Sequence, residues 1–159
     1  MLDLGKLAEG TSGLSAIVDE CTAGRAPPLT PADFRVALST KSFTSKKADE
    51  EMVARLYEST FQSQFAKAET LYYSKLSWGD AEMETFAKVV ASGALASLEV
   101  LMLDQNSIGD VGMQALAGAV SSGALVPGAK VFLGGSNATE TGKQAMRDAA
   151  KARGLIVYF

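Results

Sequence analysis

Two stretches of the chain align without a gap. "ETLYYSKLSWGDAEMETFAKVVASGAL" runs from Glu69 to Leu95, and "EVLMLDQNSIGDVGMQALAGAVSSGAL" from Glu99 to Leu125. Gly79-Asp80 falls on Gly109-Asp110, and "SGAL" at Ser92 falls on "SGAL" at Ser122, a constant spacing of 30 residues. Met83 matches Met113, Phe86 matches Leu116 and Val90 matches Val120. A unit this short cannot bury its own apolar face, so its copies must stack against one another.

The apolar period changes inside each unit. "TLYYS" and "EVLML" alternate apolar positions, which predicts a strand. A turn carrying Gly-Asp follows. Apolar residues then recur at helical spacing, as at Met113, Leu116, Ala117 and Val120, and Gly123 supplies a helix stop. Stacked units of strand, turn, helix and turn predict an α/β fold with parallel strands on one side and helices on the other. A further step of 30 puts Val131 on Leu101, Leu133 on Leu103, Ser136 on Asn106 and Met146 on Leu116. The helix "ATETGKQAMRDAAKARG" ends at Gly154, and "LIVYF" supplies a last strand.

A fainter copy lies upstream. It places Val36, Leu38 and Phe43 on Leu101, Leu103 and Ile108, which predicts a strand there. A longer helix follows, with Met52, Val53, Leu56 and Phe61 as its apolar face. Thr30-Pro31 has the form of a helix N-cap and first position, and Arg25–Pro28 that of a connector. Short helices are expected over residues 1–29, one near Leu14–Cys21 closing the open end, with an initial strand at Leu2–Leu4. The expected organisation is a cap and connector over 1–33 and a repeat array over 34–159, forming one compact domain with four or five parallel strands.

"LASLEVLMLDQNSIGDVGMQALAGAV", from Leu95 to Val120, resembles a leucine-rich repeat of the ribonuclease-inhibitor type. The pattern LxxLxLxxNxIGDxGxxxLA is filled by Leu98, Leu101, Leu103, Asn106, Ile108, Gly109, Asp110, Gly112, Leu116 and Ala117. The neighbouring units depart from it: Leu76 and Ser136 stand in the Asn position, and Trp78 in the Ile position. Only one rung of an asparagine ladder is therefore present. "SFTSKKADEEMVARLYESTF" and "LSWGD" are also similar to short repeat proteins of marine algae such as dinoflagellates and haptophytes. The resemblance implies a right-handed β/α arc, a short solenoid with strands on its concave side, helices outside and a helical N-terminal cap. It also implies protein binding without catalysis.

Composition excludes several alternatives. Apolar residues make up 47% and charged residues 21%, and the net charge is -3. A nucleic-acid partner would require a basic stripe, whereas Lys46-Lys47 runs at once into Asp49-Glu50-Glu51. The chain has no histidine, which removes histidine metal sites, histidine general bases and the Ser-His-Asp arrangement. Cys21 is the lone cysteine, so no internal disulfide forms, and a reducing compartment is the expected setting. No apolar run approaches the roughly 18 residues of a membrane span, and the N-terminus has no signal-peptide pattern. The expected location is intracellular: cytoplasmic, or plastid if a transit peptide has been removed. Asn137-Ala138-Thr139 matches a glycosylation tripeptide, with nothing else pointing to secretion.

Three places invite a chemical interpretation. "VFLGGSNATETGKQAM" carries glycines, then Gly142-Lys143, then a helix, roughly the layout of a phosphate loop. A working loop needs four residues between the glycines and a hydroxyl after the lysine. Here Gly135 and Gly142 are separated by six, and Gln144 replaces the hydroxyl. Asp80 and Asp110 recur at helix starts, where a carboxylate caps N–H groups and offsets the dipole better than it holds a metal. Cys21 shares an apolar helix face with Leu14, Ile17 and Val18, which favours packing over reactivity. No cofactor or metal is expected. A nucleotide- or metal-dependent enzyme using Gly134–Lys143 or Asp80/Asp110 is the alternative, and a self-associating structural protein is a third.

In the resembled repeat, the residue between the two strand leucines points to the concave face. Along the stack that position holds Ala37, Tyr72, Met102, Phe132 and Ile156. Thr70, Ser74, Val100, Asp104, Lys130, Gly134 and Tyr158 flank it. An apolar stripe with a polar rim suits a protein partner. The candidate site is therefore Tyr72, Met102, Phe132 and Ile156, with Val100, Asp104, Lys130 and Tyr158. The apolar edge Leu155–Phe159 is a second expected contact, with another protein, a second copy or the chain's own terminus. The expected function is an adaptor or accessory subunit docked on a larger protein assembly.

Overall fold

The computed structural model describes residues 24–43 and 47–159. The expectations for Leu2–Leu4 and for the helix near Leu14–Cys21 lie outside the described residues. Helices α1 (Pro31–Ser39) and α2 (Lys47–Phe65) come first. Then strands and helices alternate: β1 (Thr70–Tyr72), α3 (Asp80–Ala91), β2 (Val100–Met102), α4 (Asp110–Ser121), β3 (Lys130–Phe132), α5 (Glu140–Arg153) and β4 (Ile156–Tyr158). The strands form one open, parallel sheet in the order β1-β2-β3-β4. Parallel neighbours require a crossover, and here each crossover is the helix of the same unit.

The 30-residue spacing is the register of the sheet. Thr70 pairs with Val100 and Val100 with Lys130, while Leu71, Leu101 and Val131 form the middle row. The last step is shorter, because Phe132 pairs with Tyr158 rather than with a residue 30 positions on. Eight residues, Ser92–Glu99 and Ser122–Ala129, follow α3 and α4, but only Gly154 and Leu155 follow α5. Gly154 adopts a left-handed conformation (φ 69°), which reverses the chain directly from helix to strand.

One face of the sheet packs on the helices. Leu101, Val131, Leu103 and Leu133 are buried. They meet layers of residues at the repeat spacing: Met83 and Met113; Phe86, Leu116 and Met146; Val90, Val120 and Ala150. Full burial of side chains of this size contributes roughly 1.5–3 kcal/mol each. The core is thus shared between units and belongs to none alone.

Asn106 is the one buried polar residue among the described residues. Its Oδ1 accepts from the Leu76 and Trp78 amides at 3.0 and 3.1 Å. Its Nδ2 donates to the Tyr73 and Leu103 carbonyls at 2.7 and 2.9 Å. The carboxamide therefore ties its own turn to the preceding one. This explains the departures from the repeat pattern on either side. Among the described residues, the turn at Leu76 has no earlier turn of the sheet to reach, and an apolar side chain packs there instead. Ser136 has such a turn behind it but is shorter, and its buried hydroxyl has no hydrogen-bond partner among the described residues.

The N-terminal end of the sheet is closed by aromatic residues. Trp78 is buried between Tyr73 and Phe86, with ring centroids 4.9 and 5.7 Å away, and its Nε1–H donates to the Arg25 carbonyl at 2.7 Å. Phe34 stacks on Tyr57, whose hydroxyl donates to the Leu29 carbonyl at 2.8 Å. Arg35 joins α1 to α2 through Glu51 and Glu58, both at 3.2 Å. These pairs are open to solvent, so packing holds the two helices more than charge does.

Two expectations fail in this region. Residues 34–38 form helix, not strand, so Ala37 has no place on the sheet face. The Thr30 hydroxyl caps the Asp33 amide at 3.1 Å, and Pro31 opens the helix, so local capping prevails over the faint repeat match. On α2, Ala54 and Phe61 are buried, but Met52 and Leu56 face out at 69% and 67% exposure. Replacing Asn106 by Leu strands the Leu76 and Trp78 amides, and should cost about 3 kcal/mol in urea unfolding. Ser136→Asn offers the missing rung, and should add about 1 kcal/mol. A loss on Ser136→Asn would mean that the third turn has no room for the carboxamide.

Candidate functional site

The face of the sheet away from the helices carries the candidate stripe. Alternation along each strand turns Leu71, Leu101, Val131 and Val157 inward and their neighbours outward. The register sets Tyr72, Met102, Phe132 and Tyr158 in one row, and Thr70, Val100, Lys130 and Ile156 in the next. Tyr158, not Ile156, therefore completes the stripe, and Ile156 joins Val100 and Lys130 on its flank. The direct turn at Gly154 causes this exchange.

The stripe is open but partly supported from within. Tyr72 is exposed, Tyr158 and Ile156 less so, and Met102, Phe132 and Val100 are half-buried. Phe132 and Tyr158 stack with centroids 4.6 Å apart and planes 10° from parallel. Such pairing adds about 1 kcal/mol beyond area burial. Lys130 is exposed on one flank. On the other, the Asp104 carboxylate accepts from the Gly134 amide at 3.1 Å and from the Ser74 hydroxyl at 3.5 Å. Phe159 extends the apolar rim, with the Arg147 guanidinium 5.0 Å from its ring centroid.

The acidic positions are already engaged. Helices α3 and α4 begin at Gly79 and Gly109, which have no side chain to cap them. The first unit caps itself: Gly79 N–H donates to Glu82 Oε2 at 2.9 Å. Asp80 reaches the next unit, where its Oδ1 accepts from the Gly109 and Gly112 amides at 2.7 and 2.9 Å. Asp110 repeats the move, accepting from the Thr139 amide and hydroxyl, both at 2.7 Å. The Thr139 hydroxyl holds the Asp110 carboxyl below the usual carboxylate range, aided by the Thr139 and Gly142 amides. The caps thus run between units, where the sequence suggested that each Asp caps its own helix.

This arrangement accounts for the glycine loop. A Cβ on Gly142 would lie 2.5 Å from Asp110 Oδ1 and 3.0 Å from Asp110 Cα. Gly112 is in the same position against Asp80, at 2.7 Å from Oδ1. Gly135 has φ 72° and crosses the Gln105 backbone. At the start of α5, the Thr139 amide faces a carboxylate of the protein itself. A phosphate there would meet Asp110 first. The Asn137 tripeptide belongs to the same junction, since its threonine is the helix cap. Among the described residues, no three acidic or thiol side chains converge as metal ligands. Cys21 lies outside those residues. No described helix is long and apolar enough to cross a membrane.

Comparison with models of known protein families gives no match. Comparison with curated proteins gives none either.

The sequence did not reveal the inter-unit caps. Their signal is the glycine two residues after the Gly-Asp aspartate, at Gly112, together with Gly142 one unit later. Because the Asp110 carboxyl titrates lower when folded, its stabilising contribution is present above the unfolded value near 4 and is lost as pH falls through the folded one. Asp110→Asn should lower the thermal midpoint at neutral pH, and should weaken the decline of the midpoint below about pH 4. An unchanged acid profile in the variant would remove Asp110 from this role.

Proposed function

We propose that the chain is a non-catalytic protein-interaction module, a short leucine-rich-repeat solenoid that docks on a protein partner through its outer sheet face. The observation that carries this is the stripe Tyr72–Met102–Phe132–Tyr158, one large apolar side chain per strand, set in register and left open. Leaving such side chains in water is unfavourable, and a contiguous apolar patch with a polar rim suits a partner surface. Val100 and Ile156 widen the patch, and Asp104 and Lys130 orient what lands on it. In this reading the strands line the concave side and the helices the outside. The Leu155–Phe159 edge offers main-chain pairing as a secondary contact. The setting is intracellular, in the cytoplasm or a plastid.

The enzyme alternative would draw on residues that already make contacts between units. Asp80, Asp110 and Gly142 serve the junctions between units. Adding ATP or GTP with Mg²⁺ should leave the thermal midpoint unchanged. A saturable rise would favour the nucleotide alternative.

Met102→Ser with Phe132→Ser should leave the helical circular dichroism intact and abolish retention of the partner recovered by the unaltered chain from an extract of its source. Because both residues are half-buried, a loss of about 1–2 kcal/mol in stability is expected from their truncation. Global unfolding of the double variant would make the stripe part of the core and defeat the proposal.

A further inference from the structure

The last strand presents main-chain groups that the sheet does not use. Ile156 N–H donates to the Ala129 carbonyl at 3.0 Å, and the Tyr158 carbonyl accepts from Leu133 N–H at 2.8 Å. Ile156 and Tyr158 therefore turn their main chain to β3, and the alternate residues Val157 and Phe159 turn theirs to the open side. Leu155 shares that side, but its N–H is already held by the Ala150 carbonyl at 2.9 Å. The free groups are thus Val157 N–H, Val157 C=O and Phe159 N–H. Strand β4 ends the order of the sheet, so no described strand pairs with it there. A helix satisfies its own main chain, whereas an extended segment can use these groups. Strand edges are commonly blunted by lysine or proline, and "LIVYF" at 155–159 has neither.

Charge narrows the class of segment. The chain has a net charge of -3. Yet α5, the helix that runs into β4, carries Lys143, Arg147, Lys151 and Arg153 against Glu140 and Asp148, an excess of two positive charges. The Arg147 guanidinium lies 5.0 Å from the Phe159 ring centroid, which sets this side of α5 above the open edge. Lys143 and Lys151 stand one turn to either side of Arg147 on the same side of the helix. Neither pairs with a carboxylate among the described residues. The Glu140 carboxylate that meets Arg147 at 3.0 Å is 77% exposed, so an incoming carboxylate can exchange with it. A second copy paired through the same edge would set this basic side of α5 against itself.

The other face of the edge is apolar. Ile156 and Tyr158 stand there, 43% and 45% exposed. A strand added to β4 alternates its side chains between the two faces. The matching pattern is therefore apolar on the side of Ile156 and Tyr158, and acidic on the side of α5.

We infer that the β4 edge takes an extended acidic segment of another protein, added to the four-stranded sheet as one more strand. Its apolar side chains lie beside Ile156 and Tyr158, and its carboxylates under Lys143, Arg147 and Lys151. The inference deepens the reading of Leu155–Phe159 as a main-chain contact and rests on it, but does not depend on what covers the outer stripe.

Two short synthetic peptides, followed by NMR on the whole chain, test this. One alternates valine with glutamate, the other valine with lysine. The glutamate peptide should slow exchange of the Val157 and Phe159 amides. It should leave the Thr70 and Tyr72 amides, on the opposite edge of the sheet, unchanged. It should bind about tenfold more tightly than the lysine peptide, and the preference should shrink as salt rises. Lys143→Glu with Lys151→Glu should reverse the preference while the thermal midpoint moves little, since neither side chain has a partner to lose. Absence of protection at Val157 with millimolar glutamate peptide overturns the inference, and so does equal binding of the two peptides. Equal protection at Thr70 and Tyr72 would show a general affinity for strand edges, and overturns it too. So does protection of Val157 that grows with the concentration of the chain alone, which would place a second copy on the edge. If the glutamate peptide fails while the Met102/Phe132 double variant still loses its partner, the interaction module stands and only the assignment of this edge falls.

Discussion

The stacking of this fold depends on polar side chains that reach from one unit to another. Asp80 and Asp110 each satisfy amide groups at the start of the following helix, and Asn106 satisfies amides in the preceding turn. The first turn of a helix leaves its N–H groups without intrahelical partners. At α4 the N-cap is Gly109, which has no side chain to cap them locally. Here the partner comes from the neighbouring unit, so an intact helix start and correct stacking become the same event. Apolar layers such as Phe86, Leu116 and Met146 contribute most of the burial, but apolar contact alone tolerates slippage. Hydrogen bonds at fixed positions do not.

That division of labour explains which residues are left for function. Asp80 and Asp110, which look chemical in the sequence, are inside the junctions. Gly142 is small because Asp110 passes against it, and Gly112 because Asp80 does. Among the described residues, large apolar side chains stay exposed on the far side of the sheet, as at Tyr72, and on α2, as at Met52 and Leu56. In the proposed reading, a surface of that kind would recognise a partner by shape and burial, with Asp104 and Lys130 as orienting charges. The interaction reading follows from where the structure leaves apolar area open.

Much of this was legible in the letters. The 30-residue spacing fixed the register of β1, β2 and β3, and the helical apolar periods of α3, α4 and α5, because a stacked repeat must place equal positions side by side. The errors have physical causes. Residues 34–38 resemble a strand only by alignment, while Thr30, Pro31 and Asp33 form a helix start that acts locally and decides the outcome. Ile156 is expected on the stripe because it lies between the apolar Leu155 and Val157, as Met102 lies between Leu101 and Leu103, but the direct turn at Gly154 brings Tyr158 level with Phe132. Met52 and Leu56 share α2 with Phe61, and spacing alone does not say which of two apolar arcs meets the core. The inter-unit caps were hidden because a carboxylate at a helix start looks the same whether it caps its own helix or the next.

The central claim is that these carboxylates hold the amides at the unit junctions. Amide hydrogen exchange followed residue by residue by NMR tests it most directly. Gly109, Gly112 and Thr139 lie where a helix start is normally open to water. The account predicts that their amides exchange nearly as slowly as those of the buried interior at Leu116 and Val120. Exchange at the rate of an unprotected chain would show that the carboxylates do not hold them, and would contradict it.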